Sequence, residues 1–76
     1  MDYDSLSRLT ESFVTKTEVA NSLTTKLNGA KEAAAKGNQN AVEGKLKAYV
    51  NELSAQSGKS ITIEKTNLLI SLSGNL

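Results

Sequence analysis

The sequence predicts an all-α fold, a compact four-helix domain built from two helix hairpins. Three observations predict it. Apolar residues return every three or four positions in four separate stretches, which is the period of a helix face rather than of a strand. The 76 residues include no proline, so nothing interrupts a helix by removing an amide donor. Residues that start or stop helices stand between the apolar stretches. The length limits the chain to one domain, residues 1–76.

The first helix is expected over residues 3–14, where Leu6, Leu9 and Phe13 share a face. The second is expected over 16–36, with Val19, Leu23, Leu27, Ala30 and Ala34 as its stripe. Thr15 and Glu18 have the spacing of a capping box, with Val14 and Val19 as its hydrophobic staple. The third, over 40–56, carries Val42, Leu46, Tyr49, Val50 and Leu53, and Asn40 with Glu43 predicts its cap. The fourth, over 62–73, carries Leu68, Leu69 and Leu72 and is approached by Ile61. Thr62 is its expected cap, and Glu64 places an anion in the first turn, where the helix dipole favours it. Only Ile61-Thr62-Ile63 alternates as a strand would.

Gly37, Gly58 and Gly74 each stand just past a stripe, where a left-handed residue closes a helix. Gly29 and Gly44 fall inside helices, at about 1 kcal/mol each against Ala. With Ala30, Ala33 and Ala34, Gly29 predicts a helix packed closely against this segment; a ligand groove over the small residues is the sharper alternative. The halves resemble each other faintly, with Val14-Thr15 and Ile61-Thr62 each leading into a helix. An exposed remnant of Leu69, Ile70 or Leu76 would mark a partner surface.

Composition narrows the function. Nine Lys plus Arg balance eight Asp plus Glu, and a net charge of +1 supplies no field to gather nucleic acid or anionic lipid. No nucleic-acid partner and no membrane span are expected, since no apolar run approaches the ~20 residues of a span. The chain has no His, the commonest general base and metal ligand, and no Cys for a disulfide or thiolate site. The acidic start, Met1-Asp2-Tyr3-Asp4, lacks the basic-then-apolar order of a signal peptide. If the chain is a piece of a secreted protein, its signal lies elsewhere and Met1 is an added start residue.

Each local motif has a simpler structural role beside its functional one. Gly58-Lys59-Ser60 ends like a phosphate-binding loop, but such a loop needs glycine five residues earlier, where Leu53 stands, and a strand before it. Thr15 to Leu23 resembles the first helix of a helix-turn-helix, yet the apolar stripe continues through Ala34 where a turn should come. Lys31 to Lys36 reads as a strongly helical surface segment with a Glu32–Lys36 pair. Gly37-Asn38-Gln39-Asn40 lacks the carboxylates of a calcium loop. The eight acids are scattered, without the pairing of hydrolytic carboxylates. Tyr3, Phe13 and Tyr49, the only aromatics, sit at core spacing. No catalytic, cofactor-binding or metal-ligating residue is nominated, no cofactor is expected, and an enzyme is not.

The run Ser22-Leu23, Lys26-Leu27, Ala30, Ala33-Ala34, Gly37-Asn38, Ala41, Lys45-Leu46, Ala48-Tyr49-Val50-Asn51, Gln56-Ser57-Gly58-Lys59, Ile61-Thr62 and Leu68-Leu69-Ile70 resembles the FIMAH domain. The resemblance extends from about Leu6 to Leu72. Its most specific pieces are Leu27 to Ala30, Ala48 to Asn51, and Ser57-Gly58-Lys59 followed by Ile61-Thr62. The chain departs from the family at Tyr49, where Phe is usual, at Phe13, where Gly is usual, and at Thr66, where Ala is usual. The resemblance implies an all-helical module of secreted or wall-associated bacterial proteins, mainly Gram-positive, beside catalytic or adhesive domains. It brings no catalytic residues. The function expected on this ground is a non-catalytic accessory module for attachment, spacing or domain docking. Its partners would be other domains of the parent protein or cell-wall components, and its location extracellular or on the wall. The alternative is an intracellular helical interaction or DNA-binding domain.

Overall fold

The computed structural model describes all 76 residues. Four helices follow one another: α1 (Tyr3–Phe13), α2 (Thr17–Ala35), α3 (Gln39–Gln56) and α4 (Ile63–Ser73). Each lies within one residue of its expected bounds at both ends. No strand forms at Ile61-Thr62-Ile63; a single isolated bridge pairs Ser57 with Ile61.

The helix ends differ from expectation in three places. Thr15 does not cap α2; Lys16 occupies the cap position with no side-chain bond, and Thr15 is drawn away to another partner described below. The third helix starts earlier than Asn40, because Asn38 accepts from the Ala41 amide at 3.2 Å. Asn38 wins because its own amide also closes α2. Its N–H reaches the Ala33 carbonyl at 2.9 Å while that of Gly37 reaches Ala34 at 3.1 Å, a Schellman closure that needs the positive φ of Gly37. Gly74 keeps a helical conformation, φ −73°, so α4 does not end on a left-handed residue. Thr62 caps α4 as expected, accepting from the Lys65 amide at 3.2 Å. Asp2 caps α1 by accepting from the Ser5 amide at 2.7 Å, and that bond to the backbone holds its carboxyl below the ordinary value.

The helices close into a ring. α2 packs against α3 most extensively, α1 against α2 and α4, and α4 against α3, while neither diagonal pair meets backbone to backbone. α1 runs antiparallel to α2, and α2 to α3. Asp4 at the start of α1 meets Lys31 late in α2 at 2.9 Å. Ser22 meets Glu52 at 2.9 Å, and Gly29 lies under Lys45 further along. Two of the helices are much longer than the others. The 19 residues of α2 extend about 28 Å, and the 11 of α1 or α4 about 16 Å. The far end of the α2–α3 hairpin therefore extends past its neighbours.

The ring's interior is filled by Leu6, Val14, Ala20, Leu23, Leu27, Tyr49, Leu53, Ile61 and Leu69. Burying a leucine contributes about 1.5–3 kcal/mol, so these side chains supply the main drive to fold. At the tip, Ala30, Ala33 and Val42 are buried outside that cluster, so small residues let α2 and α3 close there. Ala33 takes the inward position expected of Ala34, which is exposed. On α4 the inward face is Thr66, Leu69 and Ser73; Leu68 is 47% exposed. Leu69 is fully buried and Ile70 and Leu76 are half-buried, so these three form no exposed apolar patch.

Tyr49 is the largest fully buried side chain, and it crosses the ring from α3 to α1. Its hydroxyl lies 2.7 Å from that of Thr10. Thr10 donates its own proton to the Leu6 carbonyl at 2.8 Å, so Tyr49 is the donor between them. A buried hydroxyl without a partner would cost about 1–3 kcal/mol; here both are satisfied. The Ser7 hydroxyl is enclosed without a partner, and nothing in the structure compensates it.

Burial pushes the Tyr49 phenol up to about 12 from an ordinary 10, partly offset by the bond to Thr10. A group raised above its unfolded value gives stability that is complete below pH 10 and is lost as the pH rises toward 12. Urea titrations should show the wild type losing about 1.4 kcal/mol per pH unit in that window relative to Tyr49→Phe. Equal losses in the two proteins would contradict the burial of the phenol.

Glycine positions give a second expectation. Gly44 is helical with open space where a Cβ would stand, whereas Gly58 has φ +79°. Gly44→Ala should raise stability by about 0.5–1 kcal/mol, and Gly58→Ala should lower it by about 1 kcal/mol, read by urea denaturation.

Candidate functional site

The connectors position the site. Residues 14–16 join α1 to α2, and residues 57–62 join α3 to α4. Ser57 has φ −60°, ψ 127° and Gly58 a positive φ, the pattern of a type II turn, and the Lys59 amide closes it onto the Gln56 carbonyl at 2.9 Å. The Ser60 amide reaches the same carbonyl at 3.1 Å, and the Ser60 hydroxyl donates to the Gln56 side chain at 2.9 Å. These bonds fix Ser60, which is 1% exposed, with its carbonyl turned to the other connector. There it accepts the Thr15 amide at 2.7 Å and the Thr15 hydroxyl at 3.1 Å. This clasp is what removes Thr15 from the cap of α2. Val14 and Ile61, 6% and 4% exposed, enter the core on either side of it.

Beside the clasp lies an open cleft of about 210 Å³ between Phe13, the Gly58–Thr62 turn and Lys65. The Lys65 ammonium stands 5.1 Å from the centre of the Phe13 ring. Such a contact contributes about 0.5–1 kcal/mol at an exposed site and steadies the ammonium. The lining holds two cations, Lys59 and Lys65, and no acid. Neither lysine has a carboxylate within 4 Å, in contrast to Lys26 and Lys31. The Thr62 oxygen accepts the Lys65 amide, which leaves its proton free to donate outward. Ammonium groups, a hydroxyl and an aromatic surface can hold a ligand. The cleft has no pairing of nucleophile and base that would transform one.

A second open cleft, about 450 Å³, lies near the hairpin tip and is lined by Gly29, Glu32, Ala33, Lys36, Asn38 and Lys45 among others. A Cβ on Gly29 would come within 3.2 Å and 3.3 Å of the Lys45 side-chain carbons. The close approach expected at Gly29 is therefore made by a lysine stem from α3. The two lysines and Glu32 mix charges here, unlike the connector cleft.

The sequence motifs take the following places. Gly58, Lys59 and Ser60 do line the connector cleft, but their amides are committed to the Ile61 and Gln56 carbonyls and are not free to cradle a phosphate. Thr17 to Leu23 opens a helix that runs unbroken to Ala35, with no turn after it. The Glu32–Lys36 pair does not form; the ion pairs are Lys26–Glu52 and Lys31–Asp4. Lys26 and Ser22 share one Glu52 oxygen, each at 2.9 Å, which ties α2 to α3. No three acidic side chains gather as metal ligands. Of the aromatics assigned to the core, Tyr49 is buried, whereas Tyr3 and Phe13 are half-buried and Phe13 forms a wall of the cleft. Sequence reasoning missed the Phe13–Lys65 pair. Its members are 52 positions apart, and no local spacing could have joined them.

The family model for the FIMAH domain matches residues 3–76, which includes all four helices and both connectors. No curated protein and no solved structure matches the chain.

The cation–aromatic contact is measurable in solution. A double-mutant cycle of Phe13→Leu with Lys65→Met should give a coupling of about 0.5 kcal/mol or more in urea denaturation. A coupling of zero would mean that Lys65 is not held over the ring.

Proposed function

We propose, from the premise that the chain belongs to the FIMAH family, that it is a non-catalytic accessory module of a larger secreted or wall-associated bacterial protein. It serves attachment, spacing or domain docking. The observation that carries this reading is the family match over residues 3–76. The geometry supports it. Two hairpins clasped at their connectors make a stiff unit, suited to presenting a fixed surface. No helix is long and apolar enough to cross a membrane.

The connector cleft is the docking surface under this reading. It combines an aromatic wall with cations of one sign, whereas the tip cleft mixes signs. Surface cations of this kind set specificity and rate of encounter more than raw affinity. The partner is a cell-wall component or another domain of the parent protein, presenting an anionic group to Lys59 and Lys65.

The test is retention of the isolated domain on cell-wall fractions, on polysaccharides and on the other domains of its parent protein. Binding to one of these is expected. Lys59→Gln with Lys65→Gln should weaken it about tenfold, a loss of ~1.4 kcal/mol. Lys36→Gln with Lys45→Gln should leave it unchanged. No retention on any of the three would remove attachment and docking and leave only spacing.

A further inference from the structure

We draw no further inference here: the strongest candidate, the cleft between Phe13 at the end of α1 and the Gly58–Thr62 turn with Lys59 and Lys65 on its rim, belongs to the site already described, and nothing in the structure beyond two surface lysines and the start of α4 shows what would occupy it.

Discussion

The Ser60 carbonyl joins the two halves of the molecule. It takes both the amide and the hydroxyl of Thr15, at 2.7 Å and 3.1 Å, and so binds the α1–α2 connector to the α3–α4 connector. A carbonyl can do this only if it is presented in a fixed direction. The type II turn at Ser57-Gly58 and the bonds from Ser60 to Gln56 supply that direction. The clasp adds main-chain bonds to an interface that α2 with α3, and α1 with α4, otherwise make by helix packing; the diagonal pairs α1–α3 and α2–α4 make no backbone contact. The clasp also sets where Val14 and Ile61 enter the core. A polar and an apolar contribution to the hairpin interface thus coincide at the clasp.

A ring of four helices without diagonal backbone contacts leaves a central space to be filled. Leucines fill most of it, and Tyr49 crosses it. The phenol must bring a partner with it, since burying an unpaired hydroxyl would offset much of what its ring contributes. Thr10 is that partner, and its own proton is placed on the Leu6 carbonyl. Tyr49 lies at the centre of the ring, and Phe13 forms a wall of the connector cleft. The core and the cleft are therefore linked through α1, which carries Thr10 on its buried side and Phe13 at its end.

The helices were legible because their signals are local. Apolar period, the Thr62 cap and the left-handed Gly37 and Gly58 act within a few residues, and the boundaries came out within one residue. At Thr15 a distant group competed with a local one. Thr15 has the spacing of a capping residue, but a carbonyl 45 residues away binds it instead. Asn40 was a plausible cap until Asn38 satisfied both the end of α2 and the start of α3. Glu32 and Lys36 have the right spacing for an ion pair, yet lysines on α2 pair with acids on α1 and α3. The cleft was illegible for the same reason: Phe13 and Lys65 meet only once the clasp has brought their connectors together. Gly58-Lys59-Ser60 drew attention as a phosphate motif, whereas its amides serve the turn that makes the clasp.

If the clasp joins the hairpins into one cooperative unit, the Thr15 amide opens only when the domain unfolds, although Thr15 itself lies on the surface. Native-state hydrogen exchange at single-residue resolution tests this most directly. The Thr15 amide should be protected to within about tenfold of core amides such as Leu53, a difference of ~1.4 kcal/mol, while its neighbour Lys16 exchanges freely. Exchange at Thr15 as fast as at Lys16 would mean that the connectors part while the hairpins stay folded, and the clasp would not be what unites them.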